Sequence, residues 1–176
     1  GGFVFEPGSS SGLVRFPPAK LVGAIVRTVR EDGGLVLVNE VTTGIGRTGE
    51  WFGYQHYELE PDVAALGKGV GNGYPVSVAA FAPGMIPRLA SPLKYAQSHQ
   101  NDPLGAAVAR EVLRTVREGR LVERGREIGR RLFDGLQAIQ AGSGQIRAIR
   151  ARGLMLAIEL AADAGRVQRE LLRRGF

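Results

Sequence analysis

Asp32-Gly33-Gly34-Leu35-Val36-Leu37-Val38-Asn39-Glu40 carries the clearest architectural signal in the chain. The glycines stop whatever element precedes them, and four apolar residues in a row cannot be an alternating, half-exposed strand. Leu35–Val38 therefore reads as a strand that is apolar on both faces. Upstream, Pro17-Pro18 opens a helix whose Leu21, Val22, Ile25, Val26 and Val29 share one side, and Asp32-Gly33-Gly34 closes it. Before that helix, Phe3-Val4-Phe5 is a short apolar run ending at Glu6-Pro7, which reads as a buried strand, and Gly8 to Gly12 reads as an irregular loop. Strand, helix, doubly apolar strand is the pattern of a mostly parallel α/β sheet covered on both faces. In such sheets ligands sit beyond the carboxyl ends of the strands, so the polar residues that follow Val38 are site candidates.

Downstream, Val63–Leu66 reads as another short strand and runs directly into Gly67-Lys68-Gly69-Val70-Gly71-Asn72-Gly73, and Val76 to Ala82 reads as a further strand. From Asp102-Pro103 the pattern turns helical. Leu104, Val108, Val112, Leu113 and Val116 line one stripe; Leu121, Val122, Ile128, Leu132, Leu136 and Ile139 line a second. Ile146–Ile149 and Leu154–Leu160 predict a hairpin around Arg152-Gly153, and Val167 to Arg174 a last helix. The expected boundary falls near residue 103, with a sheet-based part over 1–103 and a helix-rich part over 104–176. Both ends read as cut, because the chain starts inside a strand and stops at Gly175-Phe176 without an exit signal.

Composition excludes several classes. The chain of 176 residues is 44% hydrophobic and 23% charged, which suits a globular core and not a disordered or fibrous chain. No apolar run approaches the ~18 to 20 residues of a membrane span, and the N-terminus lacks a secretory pattern. With no cysteine and only His56 and His99, thiol chemistry is excluded and metal chemistry has little to build on, so a cytoplasmic location is expected. The net charge of +6 is uneven: residues 1–109 carry 8 basic against 9 acidic groups, and residues 110–176 carry 15 against 8. In the basic part Glu and Arg interleave at helical spacing, which predicts a solvated, ion-paired helix face in preference to a nucleic-acid surface.

Gly67-Lys68-Gly69 is the sharpest local feature. The residue after Lys68 is glycine, and Asp62 stands where a Walker A loop needs its first glycine, so that loop is excluded; a dinucleotide fingerprint fails for want of a following helix. A lysine at a strand end, flanked by glycines, suits a partly desolvated amine that attacks a carbonyl, but spacing alone favours a surface lysine in a flexible loop.

The order Val38-Asn39-Glu40-Val41-Thr42-Thr43-Gly44-Ile45-Gly46-Arg47-Thr48-Gly49, then Glu60-Pro61-Asp62, then Gly67-Lys68-Gly69-Val70-Gly71-Asn72-Gly73-Tyr74-Pro75 resembles the class III pyridoxal-phosphate-dependent aminotransferases. Phe5-Glu6-Pro7, Ser98 to Leu104 and Arg152-Gly153-Leu154-Met155 extend the likeness over nearly the whole chain, which amounts to less than half of that family's usual length. The resemblance implies part of the three-layer large domain of fold-type-I enzymes over 1–103, then linking helices and an incomplete α+β small domain over 104–176. It implies a transaminase that moves an amino group from an amino acid or amine to a 2-oxo acid, with pyridoxal 5'-phosphate as cofactor. Lys68 is then the residue of the internal aldimine and the later proton carrier. Asn39 lies at the ring nitrogen, Val41 on a ring face, Thr42 near the ring hydroxyl, and Ser98 at the cofactor phosphate of a neighbouring subunit. Shared sites imply a homodimer.

Two departures from the family pattern stand out. Asn39 replaces the usual aspartate, whose charge keeps the ring nitrogen protonated, and so predicts slower chemistry than an Asn39→Asp variant. Ser11 replaces a glutamate that ornithine-type members pair with a substrate-binding arginine. The family's phosphate loop, stacked aromatic and late arginine have no counterpart and would fall before Gly1 and after Phe176. An alternative is therefore a catalytically impaired or truncated relative with a structural or partner-subunit role.

Overall fold

The computed structural model describes residues 1–11, 13–89 and 100–176. Its strands and α-helices run β1 (Gly2–Phe5), α1 (Ala19–Glu31), β2 (Leu35–Asn39), β3 (Val63–Leu66), β4 (Val78–Phe81), α2 (Met85–Leu89), α3 (Pro103–Glu118), α4 (Leu121–Gly142), β5 (Ile146–Arg152), β6 (Met155–Leu160) and α5 (Ala164–Arg173). Short 3-10 turns cover Gly53–Tyr57 and Lys68–Val70.

The first four strands form one sheet in the order β1-β2-β3-β4. β1 and β3 both pair parallel to β2, with Phe5 opposite Val38 and Asn39 opposite Ala65. The polar residues after β1, β2 and β3 therefore gather at one edge. β4 differs from the rest: it pairs antiparallel to β3, Leu66 opposite Val78. A four-residue apolar run carries no direction, and edge strands of mostly parallel sheets are often reversed.

The core lies on one face. Alternation along β2 sends Val36 and Val38 to the α1 side, where both are fully buried with Phe5, Val22 and Tyr57, and Phe3, Val26 and Val29 pack around them. The other face carries Val4, Leu35, Leu37 and Asn39. Val4 is 65% exposed, and Leu35 and Leu37 are only partly covered. The expectation of cover on both faces thus holds on one face among the described residues, because α1 is the element packed on β1 and β2.

Beyond the sheet, Asp102 caps α3 by accepting from Leu104 N at 3.1 Å and Gly105 N at 3.0 Å, which is why the helix starts at Pro103. α3 packs on α4, and α4 on β5. On the α3 surface Arg114 pairs with Glu111 and Glu118, each at 2.6 Å, and its hydrogen bond holds the Glu111 carboxyl below the usual range. That is the ion-paired face expected from the interleaved sequence, and exposed pairs of this kind add little stability. The β5–β6 hairpin turns at Arg152-Gly153 as predicted, and its turn docks on the segment after β2, Leu154 N donating to Arg47 O at 2.9 Å. Among the described residues no helix is long and apolar enough to cross a membrane.

Candidate active site

Glu40 organises the site although it faces away from it. One residue beyond β2, it continues the alternation of Val36 and Val38 and is 1% exposed. A carboxylate so placed needs donors, and the chain returns to supply three: Thr43 Oγ1 donates to Oε2 at 2.6 Å, Gly53 N to Oε2 at 2.9 Å and Tyr54 N to Oε1 at 2.8 Å. These bonds fold residues 41–54 back over the end of β2. Burial, reinforced by Glu40 and Glu60, raises the Tyr54 phenol above its ordinary pKa.

The rim of that folded segment presents Val41 and Thr42 to the end of β3. Lys68 begins the 3-10 turn there with φ 43°, a left-handed backbone that aims its side chain across the strand ends. Its Nζ donates to Thr42 Oγ1 at 2.9 Å. Gly67 keeps the approach narrow: a Cβ there would already touch the Val41 methyl groups at 3.4 and 3.5 Å. Asn39, the last residue of β2, accepts from Val41 N on Oδ1 at 3.1 Å and donates from Nδ2 to Glu6 Oε1 at 3.4 Å.

Lys68, Thr42, Val41 and Asn39 are thus brought to one edge of the sheet. Ser98 lies outside the described residues. Of the two readings left open for Lys68, the structure fits the exposed one: the side chain lies in the open at the start of the turn after β3. Glu6 and Glu40 are the functional-edge residues that motif reading left without a role. Glu40 was legible in principle, since residues 36, 38 and 40 share a face. A cleft of about 570 Å³ along α5, lined by Arg166, Glu170 and Arg174 among others, is walled by that helix alone.

A second contact holds the segment from behind. Arg152 stacks its guanidinium over Phe16 and Tyr57, 4.6 and 5.0 Å from the ring centres. Tyr57 OH donates to Pro7 O at 2.7 Å, and His56 Nε2 meets Thr48 O at 3.2 Å. Burial and the nearby Arg152 charge lower the His56 pKa from its ordinary 6.5.

The donor set suits an aldehyde-bearing aromatic cofactor. A primary amine is anchored on a hydroxyl, a branched apolar side chain lies beside it, and an oriented amide closes the same edge. Fold and site together define an α/β protein of the fold-type-I aminotransferase architecture. Residues 1–175 match the family described as Aminotransferase class-III, and the chain belongs to it. It is 33% identical over 174 residues to ornithine aminotransferase 1 of Staphylococcus aureus, covering 98% of this chain and 43% of that protein. It is 37% identical over 157 residues to acetylornithine aminotransferase of Mycobacterium bovis, covering 89% of this chain and 38% of that one. The ornithine aminotransferase structure from Toxoplasma gondii superposes with a TM-score of 0.88 at 29% identity, over 99% of this chain and 42% of that chain. The chain therefore spans less than half the length of these relatives.

Proposed function

We propose that the chain is the lysine-bearing part of a pyridoxal-phosphate-dependent transaminase that moves an amino group from an amino acid or amine to a 2-oxo acid. The observation that carries this reading is the Lys68 Nζ to Thr42 Oγ1 bond beside Asn39 and Val41, at the sheet edge of a class-III chain. The Toxoplasma gondii ornithine aminotransferase holds pyridoxal phosphate at partial occupancy in its own active site, which supports the choice of cofactor. When bound, the cofactor supplies a carbonyl that takes up the amino group and a ring that delocalises the electron pair left on the substrate carbon.

Within this reading Lys68 would hold the cofactor's carbonyl end and would carry a proton at Nζ. Thr42 fixes where Nζ points. Val41 would wall one ring face, and Asn39 would face the ring nitrogen. The same reading assigns Ser98 to the cofactor phosphate of a neighbouring subunit, and with it a homodimer with shared sites, in the cytoplasm. Residues 1–103 belong to the cofactor-binding domain and 104–176 to linking helices and part of a smaller one. The amide at position 39 favours a second reading, a relative with impaired catalysis.

Transfer from a panel of amino acids and amines to 2-oxo acids tests the function, with product 2-oxo acid as the readout. The expected result is turnover that Lys68→Ala abolishes. Undiminished turnover in Lys68→Ala overturns the reading, and a protein that holds the cofactor without turnover favours the second.

A further inference from the structure

The Asn39 amide has one permitted orientation. Val41 N–H must meet an acceptor, and the Glu6 carboxylate must meet a donor. Turning the amide by half a rotation would set NH2 against N–H and oxygen against oxygen, so Oδ1 belongs to Val41 and Nδ2 to Glu6. Register makes the contact possible: Phe5 pairs with Val38, so Glu6 stands level with Asn39 on the open face of the sheet. After both anchors the amide keeps one hydrogen and one lone pair for a ligand.

An amide is neutral and holds a protonated ring nitrogen weakly. A carboxylate that accepts from Nδ2 polarises the amide and makes Oδ1 a better acceptor. Of the neighbouring charged groups, Lys68 lies across on the β3 side against Thr42, and Glu40 is turned to the buried face with three donors on it. Glu6 is the carboxylate in contact with Asn39. Resting on the cofactor reading above, we propose that Glu6 is a positioning residue that supplies, through Asn39, the negative charge facing the cofactor's ring nitrogen. Position 39 and position 6 then work as a pair. Restoring aspartate at 39 alone is no simple gain, because it sets two carboxylates against each other across the present 3.4 Å contact.

The test loads the protein with pyridoxal phosphate labelled with 15N in the ring and titrates the ring-nitrogen resonance. Glu6→Gln keeps an acceptor for Nδ2 and removes the charge. It should lower the proton affinity of the ring nitrogen by about tenfold, one pKa unit. The double variant Glu6→Gln with Asn39→Asp moves the charge to position 39 and reverses the hydrogen bond, and it should raise the proton affinity to the parental value or above it. In the cofactor-free protein the Asn39 side-chain 15N–1H signals should shift in Glu6→Gln and lose their distinct environment in Glu6→Leu. A parental titration in Glu6→Gln, on protein that carries the cofactor, overturns the inference and leaves the functional reading standing. A protein that takes no cofactor overturns both.

Discussion

Glu40→Gln is the most informative single change, because it keeps the shape of the side chain and alters only what it can accept. The carboxylate takes three hydrogen bonds, two on Oε2 and one on Oε1. Glutamine offers one oxygen and an NH2 group. If the NH2 group faces Thr43, the hydroxyl can rotate to accept, but Gly53 N–H loses its partner. If it faces the other side, Tyr54 N–H does. Either way one backbone donor is orphaned at a site 1% exposed. Orphaning costs about 1 to 3 kcal/mol, and hydrogen bonds to a charged acceptor exceed neutral ones by about 1 kcal/mol each, so the expected loss is about 3 kcal/mol. The assay is the urea midpoint of the intact protein at constant slope, with hydrogen exchange at Gly53 and Tyr54 as the local readout. Because Val41 and Thr42 ride on the same segment, cofactor retention should weaken in parallel. A loss below about 0.5 kcal/mol, with both amides still protected, would refute the claim that Glu40 ties residues 41–54 to the sheet.

Three further outcomes are expected. Gly153→Ala should cost at least about 3 kcal/mol: φ is +54°, and a Cβ would stand 2.4 Å from both Gly49 N and Thr48 C, backbone atoms that cannot yield without losing the Leu154–Arg47 bond. An unchanged melting temperature would contradict that docking. His56, with its pKa lowered by burial and Arg152, is neutral in the folded protein where the unfolded chain takes up a proton, so stability is complete above its ordinary 6.5 and is lost as pH falls from there through the folded value. Urea midpoints between about pH 7.5 and about pH 5 should therefore fall more steeply in the parent than in His56→Gln, and equal slopes would disprove it. The exposed area of 11762 Å² exceeds the about 8,300 Å² of a compact protein of 18.8 kDa, and Val4, Leu132, Ile139 and Leu172 lie in the open. The 176-residue chain alone should self-associate, as light scattering would show; a monomer with a cooperative melt would contradict this.

Much of the fold was legible because it is local. The doubly apolar Leu35–Val38, the stripe of α1 and the Arg152-Gly153 turn declare themselves in period and punctuation, and each stands where the sequence puts it. The reversed β4 did not, since direction is set by what its neighbour offers. Nor did the turn at Gly53–Tyr57, whose backbone donors are fixed by Glu40 thirteen and fourteen residues earlier. At the site, Lys68 and Thr42 could be singled out as strand-end residues, and their 2.9 Å contact joins two motifs 26 residues apart. Which of the two environments Lys68 occupies could not be read from spacing, because cover of a strand end is a tertiary matter; the side chain is exposed. The Glu6–Asn39 contact spans 33 residues and depends on strand register, which no motif records.

Everything proposed for the site depends on the amine at Lys68 as the group that would carry the cofactor. The chain has three lysines, Lys20, Lys68 and Lys94, so borohydride reduction of the cofactor-loaded protein, followed by peptide mass spectrometry, gives an unambiguous assignment. The pyridoxyl label is expected on Lys68 and should disappear in Lys68→Ala. Label on Lys20 or Lys94 with Lys68 unmodified, or no label at all, would contradict the claim.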